Sequence, residues 1–273
     1  MLYLVCTPIG NLNDFSVRSI NTLMEVDNIF VEDTRVSSKL LKHFGINKNT
    51  LPFYEHNERV TSDKIINLIK NGQSVAILSD AGAPLISDPG YPLIQSCIKN
   101  DISFTVIPGP SSVINSLLLS GLPTDKFLFN GFLPKKNAAK KEIALKVKNS
   151  SVTNIFFESA KRLESTIEIF SEFLCPNTSI VICREMTKKH ESIYRGTLEE
   201  IINLIKENEI KLLGEFVLLL NTDSSFGQTI NLDESFCRPF LNYLSPTDAS
   251  KLIAKITSSP KQQVYKFLLE ISK

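Results

Sequence analysis

The feature that most constrains the fold of this chain is the loop SDAGAPLISDPG, which spans residues 79–90. It follows the apolar run Val75–Leu78, which is typical of a short strand buried on both faces of a parallel sheet. Two Gly, two Pro and two Asp in the loop disfavour both helix and strand. An ordinary strand-to-helix connection takes about two to six residues, so this loop is unusually long. Open α/β sheets bind ligands beyond the carboxyl ends of their strands, so we predict a ligand-binding loop here.

Short apolar runs alternate with helical patterns along most of the chain. Through residues 1–121 this alternation predicts an α/β lobe built from βαβ units. The pattern restarts after Gly121-Leu122-Pro123 and predicts a second α/β lobe over residues 122–223, with strands at 127–132, 153–157, 179–183 and 215–221.

The last part of the chain has a different character. Residues 222–235 read as a linker, and residues 235–273 as a small helical module. The pairs Ser245-Pro246 and Ser259-Pro260 each combine a cap residue with a Pro at the first helical position, which predicts two short helices. Two such helices resemble a helix-turn-helix. Residues 235–273 also carry six Lys or Arg against two Asp or Glu, so this end either contacts a polyanion or presents a solvated Lys-rich face.

Composition excludes several classes of protein. The chain is 42% hydrophobic and 22% charged, as in a folded globular protein, and its net charge of +1 is unlike that of a generally basic nucleic-acid coat. Five scattered Cys without CxxC spacing imply neither a disulfide framework nor a zinc site, and no metal is expected. No apolar run approaches membrane-spanning length and the first residues already resemble a strand, so we expect a cytoplasmic protein without a membrane segment.

Charged side chains follow several predicted strands, where the carboxyl ends of a parallel sheet would gather them. They are candidates for catalysis, and the alternative is that they form helix caps and salt bridges. The candidates are Glu32, Asp33 and Arg35 in the first lobe, and Glu158, Arg184 and Glu185 in the second.

Two further segments are candidates for binding. Ser111 and Ser112 follow the strand at 102–107 and open a helix, where hydroxyls and free amides could hold a ligand's carboxylate or hydroxyls, or could simply cap the helix. A basic loop-to-helix segment could contact phosphates, or could be a solvated helix face. Its lysines are Lys135, Lys136, Lys140 and Lys141, and Lys251 and Lys255 add to it from the C-terminal module.

Several motifs occur in order over residues 1–221. They are TPIGNL, EDTR with KLLKHFGI, SDAGAPLISDPGYPLI, PGPSS with SGLPTDKFLFNGFLPKK, FFES, REMTKKHESIYRGTLEE and GEFVLLL. Together they resemble the ribosomal RNA small subunit methyltransferase I family, the cytidine-2′-O-methyltransferases of 16S rRNA within the tetrapyrrole methylase superfamily. EDTR, SDAG-P-ISDPG and GFLP are specific to that branch, whereas the C-terminal module matches less strongly.

The resemblance implies two α/β lobes with S-adenosyl-L-methionine in the cleft between them, and a homodimer. Carried over by motif, Pro8 belongs to the first turn near the cofactor. The main cofactor loop would be Ser79, Asp80, Ala81, Gly82 and Ala83, followed by Ser111 and Ser112, with Phe157 on the second lobe. Ala83 replaces the Thr that we associate with this loop, which removes one hydroxyl.

The implied function is transfer of a methyl group to a cytidine ribose of 16S rRNA, presented by the small ribosomal subunit. The shared scaffold could instead serve methylation of a small tetrapyrrole-like acceptor. A third reading is an RNA-binding module whose cofactor site is vestigial.

Overall fold

The computed structural model describes residues 1–222, 234–257 and 261–271. The first lobe has a five-stranded parallel sheet in the order β3-β2-β4-β1-β5. Its strands are β1 (Leu2–Val5), β2 (Asn28–Val31), β3 (Thr50–Pro52), β4 (Val75–Leu78) and β5 (Phe104–Ile107). Its helices are α1 (Val17–Glu25), α2 (Thr34–His43), α3 (Glu58–Lys70), α4 (Tyr91–Lys99) and α5 (Ser112–Ser120).

The central strand β4 explains why the loop at 79–90 is so well placed. All four of its residues are buried, and it pairs in parallel with β1 on one side and β2 on the other. Ala76 and Leu78 belong to one hydrophobic cluster and Val75 and Ile77 to another, so the two clusters cover opposite faces of the sheet. The chain then leaves β4 at its carboxyl end and does not become helical again until α4.

The second lobe is built around a mixed sheet in the order β6-β7-β10-β8-β9. Only β6 and β7 are parallel; the other three pairings are antiparallel. The strands are β6 (Phe127–Phe132), β7 (Thr153–Ser159), β8 (Ser179–Arg184), β9 (Ser192–Thr197) and β10 (Glu215–Asn221). The helices are α6 (Asn137–Lys148), α7 (Ala160–Ser171) and α8 (Leu198–Lys206).

Helix α5 joins the two lobes. It follows the first sheet in sequence, but Val113 and Leu117 pack with Val181 and Leu219 of the second sheet in one buried cluster. The turn after β1 makes a second contact, because the Asn11 amide donates a hydrogen bond to Thr187 Oγ1 at 3.1 Å. The lobes therefore meet through a shared core, and the space between them is a defined cleft.

The C-terminal helices are α9 (Glu234–Leu241), α10 (Pro246–Thr257) and α11 (Lys261–Ile271). They have a core of their own, formed by Cys237, Ala249, Ile253, Val264 and Leu268. As predicted, α10 begins at Pro246, and Ser245 Oγ accepts a hydrogen bond from the Asp248 amide at 3.2 Å.

Parts of this region lie outside the described residues. They include most of the segment predicted to be a linker, residues 223–233, and the helix start predicted at Ser259-Pro260. Within the described parts of the chain, no helix is long and apolar enough to cross a membrane.

Candidate functional site

A cavity of about 380 Å³ lies between the two lobes. The first lobe lines it with Ile9, the loop after β4 and the first turn of α5. The second lobe lines it with the end of β7, the start of β10, Phe132 and Met186. Its volume is in the range of small-molecule sites, and most of its lining is apolar with a few polar groups, as is usual for a ligand cleft.

The loop after β4 is held by hydrogen bonds to the turn after β1. Thr7 and Gly82 exchange two backbone hydrogen bonds, at 2.8 and 3.1 Å. Ser79 Oγ donates to the Gly82 carbonyl at 2.9 Å, and Thr7 Oγ1 donates to the Ser79 carbonyl at 3.2 Å. Gly82 has a φ of +84°, and a Cβ there would lie 3.3 Å from Ile9 Cγ2. The loop therefore needs Gly at this position, both for its backbone conformation and for its approach to Ile9.

The residues predicted to bind the cofactor fall into two groups. Pro8 and Ser79 are not among the residues that line the cleft; Ser79 instead fixes the loop from behind. The others do line it: Asp80, Ala81, Gly82, Ala83, Ser111, Ser112 and Phe157. Ser111 also caps α5, since its Oγ accepts from the Ile114 amide at 3.5 Å, and the first turn of that helix lines the cleft.

Glu158 lines the cleft but both its oxygens are occupied. Oε1 accepts from Arg162 Nη2 at 2.6 Å and from the Ser159 amide at 2.7 Å. Oε2 accepts from Thr166 Oγ1 at 2.7 Å and lies 3.7 Å from Lys140 Nζ. A carboxylate satisfied in this way supports the wall of the cleft rather than abstracting a proton.

The prediction that Lys140 contacts RNA is wrong, because the side chain is buried. Its side chain is 1% exposed, and Nζ donates to Thr166 Oγ1 at 2.6 Å beside Glu158. Burial lowers the pKa of this ammonium, an effect that the Glu158 carboxylate opposes. A side chain enclosed in this way cannot reach a phosphate, so we remove Lys140 from the predicted RNA surface.

Arg184 and Glu185 hold two loops of the second lobe together. Arg184 Nε donates to the Leu213 carbonyl at 2.7 Å, and Nη1 donates to the His190 carbonyl at 3.0 Å. Glu185 Oε1 accepts from the Glu215 amide at 2.8 Å. Neither side chain lines the cleft, whereas Met186, Gly214 and Glu215, next to them, do. Arg184 and Glu185 therefore hold in place the neighbouring residues that line the cleft.

Glu32, Asp33 and Arg35 lie at the junction of β2 and α2, next to the loop after β4. Asp33 caps α2, its Oδ1 accepting from the Arg35 amide at 2.8 Å, and Arg35 Nη2 lies 2.7 Å from Asp33 Oδ2. Hydrogen bonds from Arg35 lower the pKa of Asp33 to about 2. The Asp33 amide donates to Asp80 Oδ1 at 3.1 Å, which brings this group next to the cleft without lining it. Burial raises the pKa of Glu32, and the charges of Asp80 and Asp33 add to that effect.

The sequence-based candidates missed several lining residues. Asp88 lies in the same loop as Asp80, and burial raises its pKa to about 7, with further contributions from Glu32 and Asp80. Phe132 is 61% exposed and lines the cleft, with its ring 5.2 Å from that of Phe157. Both residues lie in motifs that the sequence already singled out: Asp88 is the second Asp of the loop 79–90, and Phe132 is the Phe of the GFLP motif. Among the described residues, no group of three or more His, Cys, Asp or Glu is arranged to hold a metal ion.

Comparison with known proteins identifies the family. The model of the Tetrapyrrole (Corrin/Porphyrin) Methylases matches residues 1–202. Ribosomal RNA small subunit methyltransferase I of Vibrio cholerae serotype O1 is 39% identical over 272 residues, which cover 99% of this chain and 94% of that protein. The chain belongs to this methyltransferase I family. The relative of the same name from Hydrogenobaculum sp. is 46% identical over 231 residues, 83% of this chain and 98% of that protein.

Solved structures agree on the fold. Diphthine synthase has a TM-score of 0.64 at 14% identity, over 81% of this chain and 90% of that chain. Uroporphyrin-III-C-methyltransferase from Thermus thermophilus has a TM-score of 0.54 at 20% identity, over 81% and 94%. At such low identity these likenesses show the fold alone. The predicted two-lobed tetrapyrrole methylase architecture with a C-terminal helical segment is confirmed.

Methyltransferases of the methyltransferase I family use S-adenosyl-L-methionine. The cleft fits such a molecule in three respects. It has sufficient volume with largely apolar walls, and Gly82 lets the backbone approach without a side chain in the way. The start of α5, with Ser111 and Ser112, offers donors for a carboxylate.

Proposed function

We propose that the protein transfers a methyl group from S-adenosyl-L-methionine to the ribose 2′-hydroxyl of a cytidine in 16S rRNA. The observation that carries this proposal is the similarity over 99% of the chain to a relative named ribosomal RNA small subunit methyltransferase I. An enzyme that acts on ribosomal subunits would work in the cytoplasm.

The methyl donor would be held mainly by the first lobe. Asp80, Ala81, Gly82 and Ala83 supply the loop on one side, and the start of α5 with Ser111 and Ser112 supplies helix amides and hydroxyls on another. Phe157 closes the cleft from the second lobe. When bound, the donor supplies an electrophilic methyl group. The contribution of these residues is orientation, because in-line transfer requires a fixed alignment of the reacting atoms.

The acceptor nucleotide would enter from the side where Phe132 is exposed. A target in folded RNA must be unstacked to be reached, and aromatic side chains commonly stack on such bases. Phe132 lines the cleft and contacts Phe157, so a base stacked on it would lie at the mouth of the cavity. The buried Glu158 with Arg162, and the Arg184 links between loops, keep this second-lobe wall in place.

Exposed lysines would contact the RNA backbone. Lys135, Lys136 and Lys141 lie around the start of α6, and Lys251 and Lys255 lie on α10. Lys251 is also paired with Asp248 at 3.1 Å, so Lys255 is the less encumbered of the two. Such contacts weaken as salt rises, and an assembled small subunit presents far more phosphate than a short RNA does.

A homodimer is part of the proposal. Large apolar side chains are exposed on the edge strands of both sheets and on α5, where a second subunit could cover them. They include Phe104 and Val106 on β5, Phe127 and Leu128 on β6, and Ile114 and Leu118 on α5. Sedimentation equilibrium tests the dimer, and a monomer at micromolar concentration would refute it.

Methylation of a small tetrapyrrole-like acceptor has less support. The relatives that match the chain almost from end to end are named for ribosomal RNA, whereas the porphyrin enzyme resembles it in fold alone.

The deciding experiment is incubation of the protein and labelled S-adenosyl-L-methionine with small subunits that lack the modification, followed by nucleoside mapping. We expect label in 2′-O-methylcytidine. The variant Gly82→Leu, whose side chain would enter the cleft near Ile9, is the inactive control. Label on a base, or none, would refute the proposal. Calorimetric titration with the cofactor separately tests whether the site is vestigial.

A further inference from the structure

Among the residues that the structure describes, four carboxylates line the cleft: Asp80, Asp88, Glu158 and Glu215. Three of them have a partner in the protein. Asp80 accepts a hydrogen bond from the Asp33 amide at 3.1 Å. Glu158 forms an ion pair with Arg162 Nη2 at 2.6 Å, and Glu215 forms one with Lys188 Nζ at 2.9 Å. In the part of the chain that the structure describes, no group donates a hydrogen bond to the Asp88 carboxylate or forms an ion pair with it. A half-buried carboxylate without a partner is costly, so its presence in a ligand cleft calls for a function.

The backbone on both sides of Asp88 holds it in a particular orientation. Leu85 has a φ of +71° and Ser87 a φ of +70°, which is unfavourable for residues with a side chain. Gly90 has a φ of +134°, and its amide donates to Glu58 Oε1 at 2.5 Å. Strain of this kind persists only where the surroundings impose it, and it is common at functional sites. The loop therefore presents Asp88 to the cleft at a conformational cost.

Two negative charges, those of Glu32 and Asp80, act unfavourably on the charged form of Asp88. A third, that of Glu58 at the start of α3, accepts the hydrogen bond from the Gly90 amide two residues after Asp88. Across the cleft, the charges of Glu158 and Glu215 are each balanced by a basic partner. Burial and this negative surrounding raise the pKa of Asp88 to about 7, which is where a general base is most effective at neutral pH.

We propose that Asp88 is the catalytic base that removes the proton from the acceptor hydroxyl. This rests on the proposed function. As the methyl group is transferred, the O–H bond of the ribose hydroxyl breaks and its proton moves to an Asp88 oxygen. The ribose oxygen uses the electron pair of the broken O–H bond to bond the methyl carbon, and the electron pair of the broken carbon–sulfur bond stays on sulfur. Asp88 then releases the proton to solvent.

The test compares Asp88→Asn with Asp63→Asn, a control on the exposed face of α3. Single-turnover transfer to unmodified small subunits is measured from pH 5.5 to 9, with cofactor affinity measured by calorimetry. We expect Asp88→Asn to lower the rate about 10²–10⁴-fold with little change in cofactor affinity. We expect the wild-type and control rates to rise with pH and level off above about 7.

A readout independent of activity comes from NMR titration of the protein labelled with ¹³C at aspartate carboxyls. Asp88, assigned by its absence from the Asn variant, should titrate near pH 7; a midpoint near the ordinary value of Asp would overturn the proposal. Near-normal transfer by Asp88→Asn would overturn it too, as would loss of cofactor binding, which would make Asp88 a cofactor ligand. Wild-type protein that transfers nothing to RNA would instead refute the proposed function.

Discussion

The substitution Lys140→Met tests whether Lys140 is a buried structural group. Methionine keeps most of the aliphatic volume but removes the ammonium, whose Nζ lies 2.6 Å from Thr166 Oγ1 and 3.7 Å from Glu158 Oε2. Breaking a buried ion pair costs about 3–5 kcal/mol, because the remaining charge is left without compensation. Arg162 still neutralises Glu158 at 2.6 Å, so we expect a loss of about 2–3 kcal/mol in the free energy of unfolding.

The matched control is the adjacent Lys141→Met. Lys141 is 46% exposed and pairs with Glu172, itself 54% exposed, at 3.1 Å. Exposed pairs contribute about 0–1 kcal/mol, so this variant should unfold close to the wild type. It should instead bind small-subunit RNA more weakly, with a smaller salt dependence, if Lys141 contacts phosphate.

The assay is urea unfolding monitored by near- and far-ultraviolet circular dichroism. If the transitions seen by the two signals coincide, unfolding is two-state. At about 2–4 °C per kcal/mol for a chain of this size, Lys140→Met should melt about 4–12 °C below the wild type. The double variant with Glu158→Gln should lose less stability than the two single losses added together. A Lys140→Met protein as stable as the control, but impaired in RNA binding, would refute the buried pair.

Three further predictions follow from the site. Gly90→Ala should reduce cofactor affinity, because φ at this residue is +134° and the new Cβ would lie 3.0 Å from Leu85 Cγ. The control is Gly45→Ala, where φ is +69° and no non-neighbouring atom of the described residues lies within 4 Å of the new Cβ. This control should lose only about 1 kcal/mol of stability and bind the cofactor as the wild type does. Arg35→Ala should raise the pKa of Asp33 from about 2 towards its ordinary value, since it removes side-chain hydrogen bonds that favour the charged form; carboxyl NMR measures this, and an unchanged pKa contradicts it. Deletion of residues 235–273 should weaken RNA binding without altering cofactor affinity, since α9, α10 and α11 have a separate core; equal RNA binding would exclude the module as a contact.

The elements of the fold could be predicted from local patterns. The run Val75–Leu78 is buried throughout, as its uninterrupted apolar composition indicated, and the loop after it lines the cleft. Strands expected at 127–132 and 215–221 have those bounds. The pairing directions of the second sheet could not be predicted in the same way, because strands buried on both faces show no alternation that distinguishes parallel from antiparallel neighbours.

The side-chain environments of the site were harder to predict. Lys140 stands in a run of lysines, but Ala144 and Val147 follow it at positions four and seven, which places it on the buried stripe of α6. That spacing was available from the sequence, whereas its partner Glu158, in β7, was not. The loop after β4 contains two aspartates, and its sequence does not show which of them lacks a hydrogen-bond donor. The donor to Asp80 is the Asp33 amide, which belongs to a segment distant in the sequence. The positive φ values at Leu85 and Ser87, next to Asp88, could not be predicted either, because non-Gly residues give little local indication of such a conformation.

The packing of α5 across both lobes has a consequence for biosynthesis. Val113 and Leu117 are made with the first lobe, but their apolar partners on β10 leave the ribosome only after most of the second lobe has been synthesised. During that interval the growing chain must carry an uncovered hydrophobic helix, and contacts so distant in sequence form slowly. A fragment ending at residue 121 should therefore aggregate rather than fold. Chaperones should bind the nascent protein until β10 has been synthesised and covers α5.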